Sequence, residues 1–289
     1  MKYDVAVLSD VGLVRTNNED AYLIDKDLNL FIMADGMGGY QKGEVASLMT
    51  CQGIAEYFRT LIKNNITDFT QEHCKKAVNK ANSDIRNKIK DIVGLDKMGS
   101  TVVAMLLKKD YVYILNVGDS RAYHFHNNQM HQISVDHSLI QESKNAGIKK
   151  ELAMQFKNIV TRAVGMKDVV EADVFPLSAK AGDIFLLCSD GLHGFVSDEK
   201  ICGILQMEES LDNRVKKLIE EAKAGGGKDN ITAILVSILE DQHPQESTTQ
   251  TISFNKNSLK TGRFSSLSTK IIAGLIIFIV VVTIGVFLI

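Results

Sequence analysis

The sequence predicts an α+β domain, with antiparallel sheets and helices lying outside them, on two observations. Strand-like apolar runs come in pairs around short polar turns. Thr101 to Leu107 and Tyr111 to Val117 flank Lys108-Lys109-Asp110, and Ala122 to Phe125 and Met130 to Ile133 flank Asn127-Asn128. That is hairpin spacing. Helical runs also come in pairs instead of alternating singly with strands, which argues against a doubly wound βαβ fold.

Taken in order, Tyr3, Val5 and Val7 alternate as in a strand, and Leu30 to Ala34 reads as a buried one. Gly36, Gly38 and Gly39 then permit a sharp turn that presents Asp35 at a strand end. Val45, Leu48, Ala55, Phe58 and Ile62 recur at helical spacing, as do Cys74, Val78, Ala81, Ile85, Ile89 and Ile92. Ile184 to Cys188 is a further strand. Helices are expected near Asp198 to Gln206 and Leu211 to Ala222, then a Gly225-Gly226-Gly227 loop and a strand from Ile231 to Leu239. No internal repeat is visible.

Of the 289 residues, 1–240 carry this pattern and are enough for one substantial core. A net charge of −2 gives no electrostatic case for a nucleic-acid partner. Cys51, Cys74, Cys188 and Cys202 lack paired spacing and read as reduced core thiols, as in a reducing cytosol. The N-terminus carries no basic and apolar pattern of a secretory signal. Residues 241–269 turn to Ser, Thr, Gln and Asn and read as a flexible polar linker with a reach of roughly 30 Å. Residues 270–289 are expected to form a transmembrane helix, because the nineteen residues from Ile271 to Ile289 are uncharged. At helical rise they span about 28 Å, close to a bilayer's hydrocarbon core. Lys256, Lys260, Arg263 and Lys270 precede this single-pass C-terminal anchor, so the folded domain is expected on the cytoplasmic side.

Five short acidic runs carry the chemistry: Arg15-Thr-Asn-Asn-Glu-Asp20, Ala34-Asp35-Gly36-Met37-Gly38-Gly39, Val117-Gly118-Asp119-Ser120-Arg121, Ser189-Asp190-Gly191-Leu192 and Lys228-Asp229-Asn230-Ile231-Thr232. Asp35, Asp119 and Asp190 follow strand-like segments and Asp229 precedes one, so a sheet can aim their carboxylates into one cleft. Any one of them alone would read as a turn or cap residue. Hard oxygen ligands of this kind suit Mg²⁺ or Mn²⁺ better than Zn²⁺. In this order, together with Asp136-His137-Ser138-Leu139, the Gly147 turn and Ile159 to Gly165, the runs resemble the bacterial form of the PP2C-type (PPM family) protein serine/threonine phosphatases. The resemblance covers roughly Met1 to Leu239.

The resemblance implies a two-sheet β-sandwich flanked by pairs of α-helices, with two Mn²⁺ or Mg²⁺ ions at one edge. It further implies that Asp35 bridges the ions, that the Gly36 carbonyl binds one, and that Asp190 and Asp229 complete the other. Asp119 would help hold a third, weaker ion. Glu19 and Asp20 would accept hydrogen bonds from metal-bound waters, and Asn230 would orient Asp229. Arg15 would clamp the substrate phosphate through its planar guanidinium. A metal-bridging hydroxide would then hydrolyse phosphoserine and phosphothreonine in phosphoproteins, opposing, and acting on, a serine/threonine kinase. The other classes weighed are a silent phosphoprotein-binding relative and a membrane scaffold.

Met37 stands where eukaryotic relatives often carry a histidine assigned as general acid. A thioether cannot donate a proton, so Met37 reads as a subtype mark. Gln155-Phe156 likewise replaces a common His-Pro. His124 and His126 share a strand face but show no third ligand in sequence, and read as ordinary cross-strand residues. His193 adjoins the Asp190 run at the site edge. Gly225-Gly226-Gly227-Lys228 lacks the spacing of a phosphate-binding loop, and no cysteine has an arginine at the offset that thiolate phosphatases use.

Overall fold

A computed structural model describes residues 1–38, 42–91, 98–109, 111–147 and 159–239. Gly39, Ile92, Asp110, Gln155, Phe156, the polar linker and the apolar 271–289 segment lie outside the described residues. Among the described residues no helix is long and apolar enough to cross a membrane.

Strands β1 (Lys2–Asp10), β2 (Asp20–Asp25) and β3 (Leu30–Met37) precede the helix pair α1 (Lys42–Lys63) and α2 (Gln71–Asp91). Then come β4 (Gly99–Ser100), β5 (Val102–Leu107), β6 (Tyr111–Val117), β7 (Arg121–His126), β8 (Gln129–Gln132), α3 (Leu139–Asn145) and β9 (Asp173–Ser178). The chain continues with β10 (Ile184–Cys188), the single turn α4 (Asp190–His193), α5 (Asp198–Leu205), α6 (Leu211–Ala224) and β11 (Ile231–Leu239). One antiparallel sheet has the order β1-β11-β10-β7-β8 and the other β2-β3-β5-β6-β9, with β4 paired to β3.

Side chains alternate between the faces of each strand, and this builds three apolar layers. Phe31, Met33, Val103 and Met105 of one sheet meet Phe185, Leu187, Ile234 and Val236 of the other. The intervening residues Leu30, Ile32, Ala104 and Leu106 face Ile54, Phe58, Cys74 and Ile85 of α1 and α2. On the opposite side Leu186, Cys188 and Leu235 face Ile201, Val215 and Leu218 of α5 and α6. Central strands buried on both faces read as continuous apolar runs, which is why β5, β10 and β11 were plain in sequence. Phe58 is fully buried, so truncating it to alanine would cost roughly 3–5 kcal/mol.

Three details differ from the sequence reading. The buried stripe of α1 is Ala46, Thr50, Cys51, Ile54, Ala55 and Phe58, so Ala55 and Phe58 lie where the spacing predicts. Val45, Leu48 and Ile62 lie on its outer side, 38%, 49% and 41% exposed, because small residues let the helix sit close to β3. Asp35 lies within β3, which continues through Met37, so the glycines do not turn the chain immediately after it. Strand β9 went unread because it contains Pro176, yet it is an edge strand opposite Tyr113, where a missing N–H is tolerated. Asn127 and Asn128 have φ of +49° and +60°, as a two-residue hairpin turn requires.

Candidate active site

The two sheets bring the acidic runs together at one end. Antiparallel pairing sets Asp20 directly opposite Asp35. The Asp35 backbone is fixed by Thr101, whose Oγ1 accepts from the Asp35 N–H at 3.1 Å and whose N–H donates to the Asp35 carbonyl at 2.8 Å. Thr101 Oγ1 also lies 2.7 Å from Ser120 Oγ, which ties Asp35 to the loop carrying Asp119. Asp190 opens α4 directly after β10, and Asp229 precedes β11, the strand beside β10.

Two glycines make this convergence possible. A Cβ on Gly191 would lie 1.9 Å from the Asn230 carbonyl oxygen, and one on Gly36 would lie 2.0 Å from the Gly43 carbonyl oxygen. Both are places where backbone meets backbone and no side chain fits. Asn230 closes the assembly from below, though not as the resemblance implies. Its Oδ1 accepts from the Glu19 N–H at 2.8 Å, and its Nδ2 donates to the carbonyls of Val11 at 3.0 Å and Asn17 at 2.9 Å. The side chain thus fastens the loop bearing Arg15 and Glu19, and Asp229 Oδ1 receives only the Asn230 backbone N–H at 2.9 Å. The reason is reach: the amide's three partners lie on the N-terminal loop, and both of its N–H groups are taken there.

The electrostatics are those of crowded carboxylates. Asp35 is driven well above the usual carboxylate range by burial and then by the charges of Asp20, Asp190, Asp119 and Asp229. Asp20 is pushed up to about 7 chiefly by burial, against a hydrogen bond donated by Thr232 Oγ1 at 2.7 Å. Asp119 reaches about 7 through burial and the nearby Asp190. Asp190 is raised by burial and by Asp229, with the charge of Arg15 acting in the opposite sense. Asp20 Oδ1 and Asp190 Oδ1 are buried and have no hydrogen-bond partner. A buried unpartnered carboxylate oxygen is costly. Divalent cations relieve both the repulsion and the missing partners, so the donor set fits hard oxygen-binding ions.

These residues line a cleft of about 450 Å³ that holds Arg15, Glu19, Asp35, Gly36, Asp119, Asp190, Asp229 and Asn230. A groove of about 590 Å³ shares Arg15, Asp119, Asp190 and Asp229 with it and extends past Lys144 and Lys228. A larger cavity of about 820 Å³, bounded by Val5, Ile24, Asp25 and Arg59, contains no comparable cluster, so the chemistry and not the volume singles out the cleft. Arg15 reaches into the cleft and pairs with Asp229 at 3.0 Å, not with Glu19. Asp20 is bound to β11 through Thr232, and Glu19 holds Gly36 and Ser47 through its carbonyl, at 3.1 and 2.6 Å. His193 donates from Nε2 to the Asp119 carbonyl at 2.9 Å, and burial with Arg121 pushes it down to about 4. It braces the Asp119 backbone as a neutral ring.

Several supporting residues escaped the sequence reading. Thr101 and Thr232 are polar residues with almost no exposure beside apolar strands, and Ser189 precedes Asp190. Buried hydroxyls among valines and isoleucines were the available signal. Arg121 grips Asp136 through three contacts of 2.7 to 3.2 Å and so anchors the Asp136–Leu139 run under the Asp119 turn. Gly118 N–H donates to His137 Nδ1 at 3.1 Å and strengthens that anchor.

Comparison with known proteins agrees with this geometry. Residues 14–240 match the protein phosphatase 2C family. The serine/threonine phosphatase stp of Listeria welshimeri is 37% identical over 234 residues, covering 79% of this chain and 93% of its own. The crystal structure of the catalytic domain of the serine threonine protein phosphatase PstP in complex with 2 manganese ions superposes with a TM-score of 0.72 at 34% identity, covering 82% of this chain and 99% of that one. Serine/threonine phosphatase Stp1 from Staphylococcus aureus gives a TM-score of 0.73 at 29% identity, with coverage of 83% and 96%. The two antiparallel sheets, the acidic cleft between their ends and these likenesses agree: the chain belongs to the protein phosphatase 2C family of metal-dependent serine/threonine phosphatases.

Proposed function

We propose that this chain hydrolyses phosphoserine and phosphothreonine monoesters in proteins, and that Asp35, Gly36, Asp190 and Asp229 hold its two divalent cations, Mn²⁺ or Mg²⁺. The observation that carries the reading is the convergence of Asp35, Asp119, Asp190 and Asp229 in one cleft under the guanidinium of Arg15, with orphaned buried oxygens on Asp190 and on Asp20, which lies opposite Asp35 on the neighbouring strand. Such a cation pair, when bound, supplies charge neutralisation for the phosphate dianion and acidifies water to a nucleophile near neutral pH. Arg15 binds phosphate oxygens and orients the ester, with Asp229 as its partner before substrate arrives. Thr101 and Asn230 keep Asp35 and the Arg15 loop in register. Glu19 and Asp20 stand behind the ligands as acceptors, and Asp119, braced by His193, offers a weaker third position. The groove past Lys144 and Lys228 is the path along which a phosphoprotein segment would lie. Release of phosphate from a phosphothreonine peptide that requires Mn²⁺ and is stopped by chelation tests this. Equal release with the chelator present would refute it.

We further read the three apolar layers as a four-layer sandwich with helix pairs outside both sheets, and residues 1–240, 241–269 and 270–289 as catalytic domain, linker and single-pass anchor. The uncharged Ile271 to Ile289 run and the basic residues before it support a membrane-held enzyme whose domain faces the cytoplasm, where serine/threonine kinases act. Tethering raises the effective concentration toward membrane-bound phosphoproteins, including such a kinase. Recovery of the full chain in the soluble fraction would overturn the anchor.

A further inference from the structure

A second cluster of ligand-type side chains lies at the other end of β10 from the acidic cleft. His124 and His126 project from the same face of β7, and their rings are stacked with centroids 5.9 Å apart. Strand β10 runs beside β7 with Phe185 opposite His124, and the two rings stack at 4.7 Å. This register brings Asp183, the residue before β10, alongside the histidines. His126 Nδ1 is hydrogen-bonded to Asp183 Oδ1 at 2.5 Å, a contact that a bound ion would replace, and His124 Nε2 lies 3.0 Å from Asp183 Oδ2. Among the described residues this is the one group of three whose ligand atoms all lie within 4.8 Å of one another. From Asp183 to Asp190 the strand rise gives a separation of roughly 20–25 Å from the cleft.

Two observations favour a cation over a plain ion-pair cluster. His124 Nε2 is buried and makes no hydrogen bond although Asp183 Oδ2 lies 3.0 Å away, so this ring nitrogen is left without a partner beside a carboxylate. Asp183 is buried and pre-positioned: its Oδ2 accepts from the Lys180 N–H at 2.9 Å, and its carbonyl accepts from Ile238 at 2.8 Å. A ligand carboxylate held by a backbone N–H is the kind of outer support that metal sites use. His131 pairs with His124 across β7 and β8 and adds an imidazole to the same face.

We propose that His124, His126 and Asp183 form a second cation site, selective for borderline ions of the Zn²⁺ type and independent of the oxygen-ligand cleft. Two imidazoles and one carboxylate are the ligand set Zn²⁺ accepts, with a position left for water or a further imidazole. Mg²⁺ and Mn²⁺ prefer the all-oxygen cleft. The bound ion clamps the end of β7 to the turn before β10, so it acts on the stability of that sheet and not on turnover.

The test is calorimetric titration of Zn²⁺ into the full chain with excess Mg²⁺ present, beside the same titration of the His124→Gln/His126→Gln variant. The variant is expected to take up one equivalent fewer, to lose the Zn²⁺-induced rise in melting temperature, and to keep Mn²⁺-dependent turnover of a small phosphate ester unchanged. In the unaltered protein, Zn²⁺ should shift the ring-nitrogen resonances of His124 and His126, assigned from the single variants. This readout stands even if the double variant misfolds. Equal Zn²⁺ uptake by a folded variant, or shifts confined to other histidines, would overturn the site and leave an ion-pair cluster.

Discussion

Replacing Asn230 with alanine should loosen the Arg15 loop while leaving every carboxylate of the cleft in place. Its amide makes three hydrogen bonds to backbone groups of the loop, at 2.8, 2.9 and 3.0 Å, and the residue is only 5% exposed. At about 0.5–1.5 kcal/mol net for each, with the orphaned Glu19 N–H and the Val11 and Asn17 carbonyls partly rehydrated, the loss should be about 2–4 kcal/mol. Urea titration of the metal-free protein measures it as a fall in midpoint at constant slope. The loop carries Arg15, so kcat/KM on a phosphopeptide should fall as well. In a double-mutant cycle Arg15→Ala should add little once Asn230 is gone. A stability change below about 0.5 kcal/mol, or fully additive kinetic losses, would refute the assignment of Asn230 as the fastener of this loop.

Other outcomes follow from the same geometry. Arg15→Ala alone should lower kcat/KM on phosphopeptides by about 10- to 150-fold, the equivalent of roughly 1.5–3 kcal/mol for a charge-assisted hydrogen bond. It should barely change stability, because the Arg15–Asp229 pair is half exposed and screened; a melting shift without a kinetic effect would reverse that reading. Asp119 and Asp20 have native pKa values near 7, raised above about 3.9 in the unfolded chain, so between those values the native state binds more protons. Their contribution to metal-free stability is therefore complete below about pH 4 and is lost as pH rises through 7, and Asp119→Asn should flatten that slope in denaturant titrations from pH 5 to 8. Gly191→Ala forces a Cβ to 1.9 Å from the Asn230 carbonyl oxygen and should destabilise the fold by at least about 1–3 kcal/mol while weakening Mn²⁺ binding. Unchanged melting and Mn²⁺ titration would show that the backbone there yields freely.

The acidic cleft was more legible in the sequence than the residues that support it. Asp35, Asp119, Asp190 and Asp229 were legible because each acidic run borders an apolar strand, and period-two burial on a sheet leaves few places for a carboxylate to go. Strands β5, β6, β10 and β11 were legible for the same reason. The stripe of α1 was legible only at Ala55 and Phe58, because Ala46, Thr50 and Cys51 bury well while Val45 and Leu48 face outward, and hydropathy alone ranks them the other way. Strand β9 was hidden by Pro176, whose tolerance depends on an edge position that only topology reveals. Asn230 was noticed but given to the adjacent Asp229, since its partners Val11, Asn17 and Glu19 lie more than two hundred residues away in sequence. The partner of His124 and His126 was invisible for the same reason: Asp183 reaches them only through the β7–β10 register.

The most direct measurement is phosphate release from a phosphothreonine peptide as Mn²⁺ is titrated, with wild type and Asp35→Asn side by side. Asparagine keeps the side-chain shape but removes the charge at the centre of the cleft, where Asp20, Asp119, Asp190 and Asp229 all act on Asp35. Release should be absent without metal, saturate with Mn²⁺ in the wild type, and fall by at least about a hundredfold in a folded Asp35→Asn protein. Release that ignores Mn²⁺, or an Asp35→Asn enzyme within a few-fold of wild type at saturating Mn²⁺, would contradict this reading.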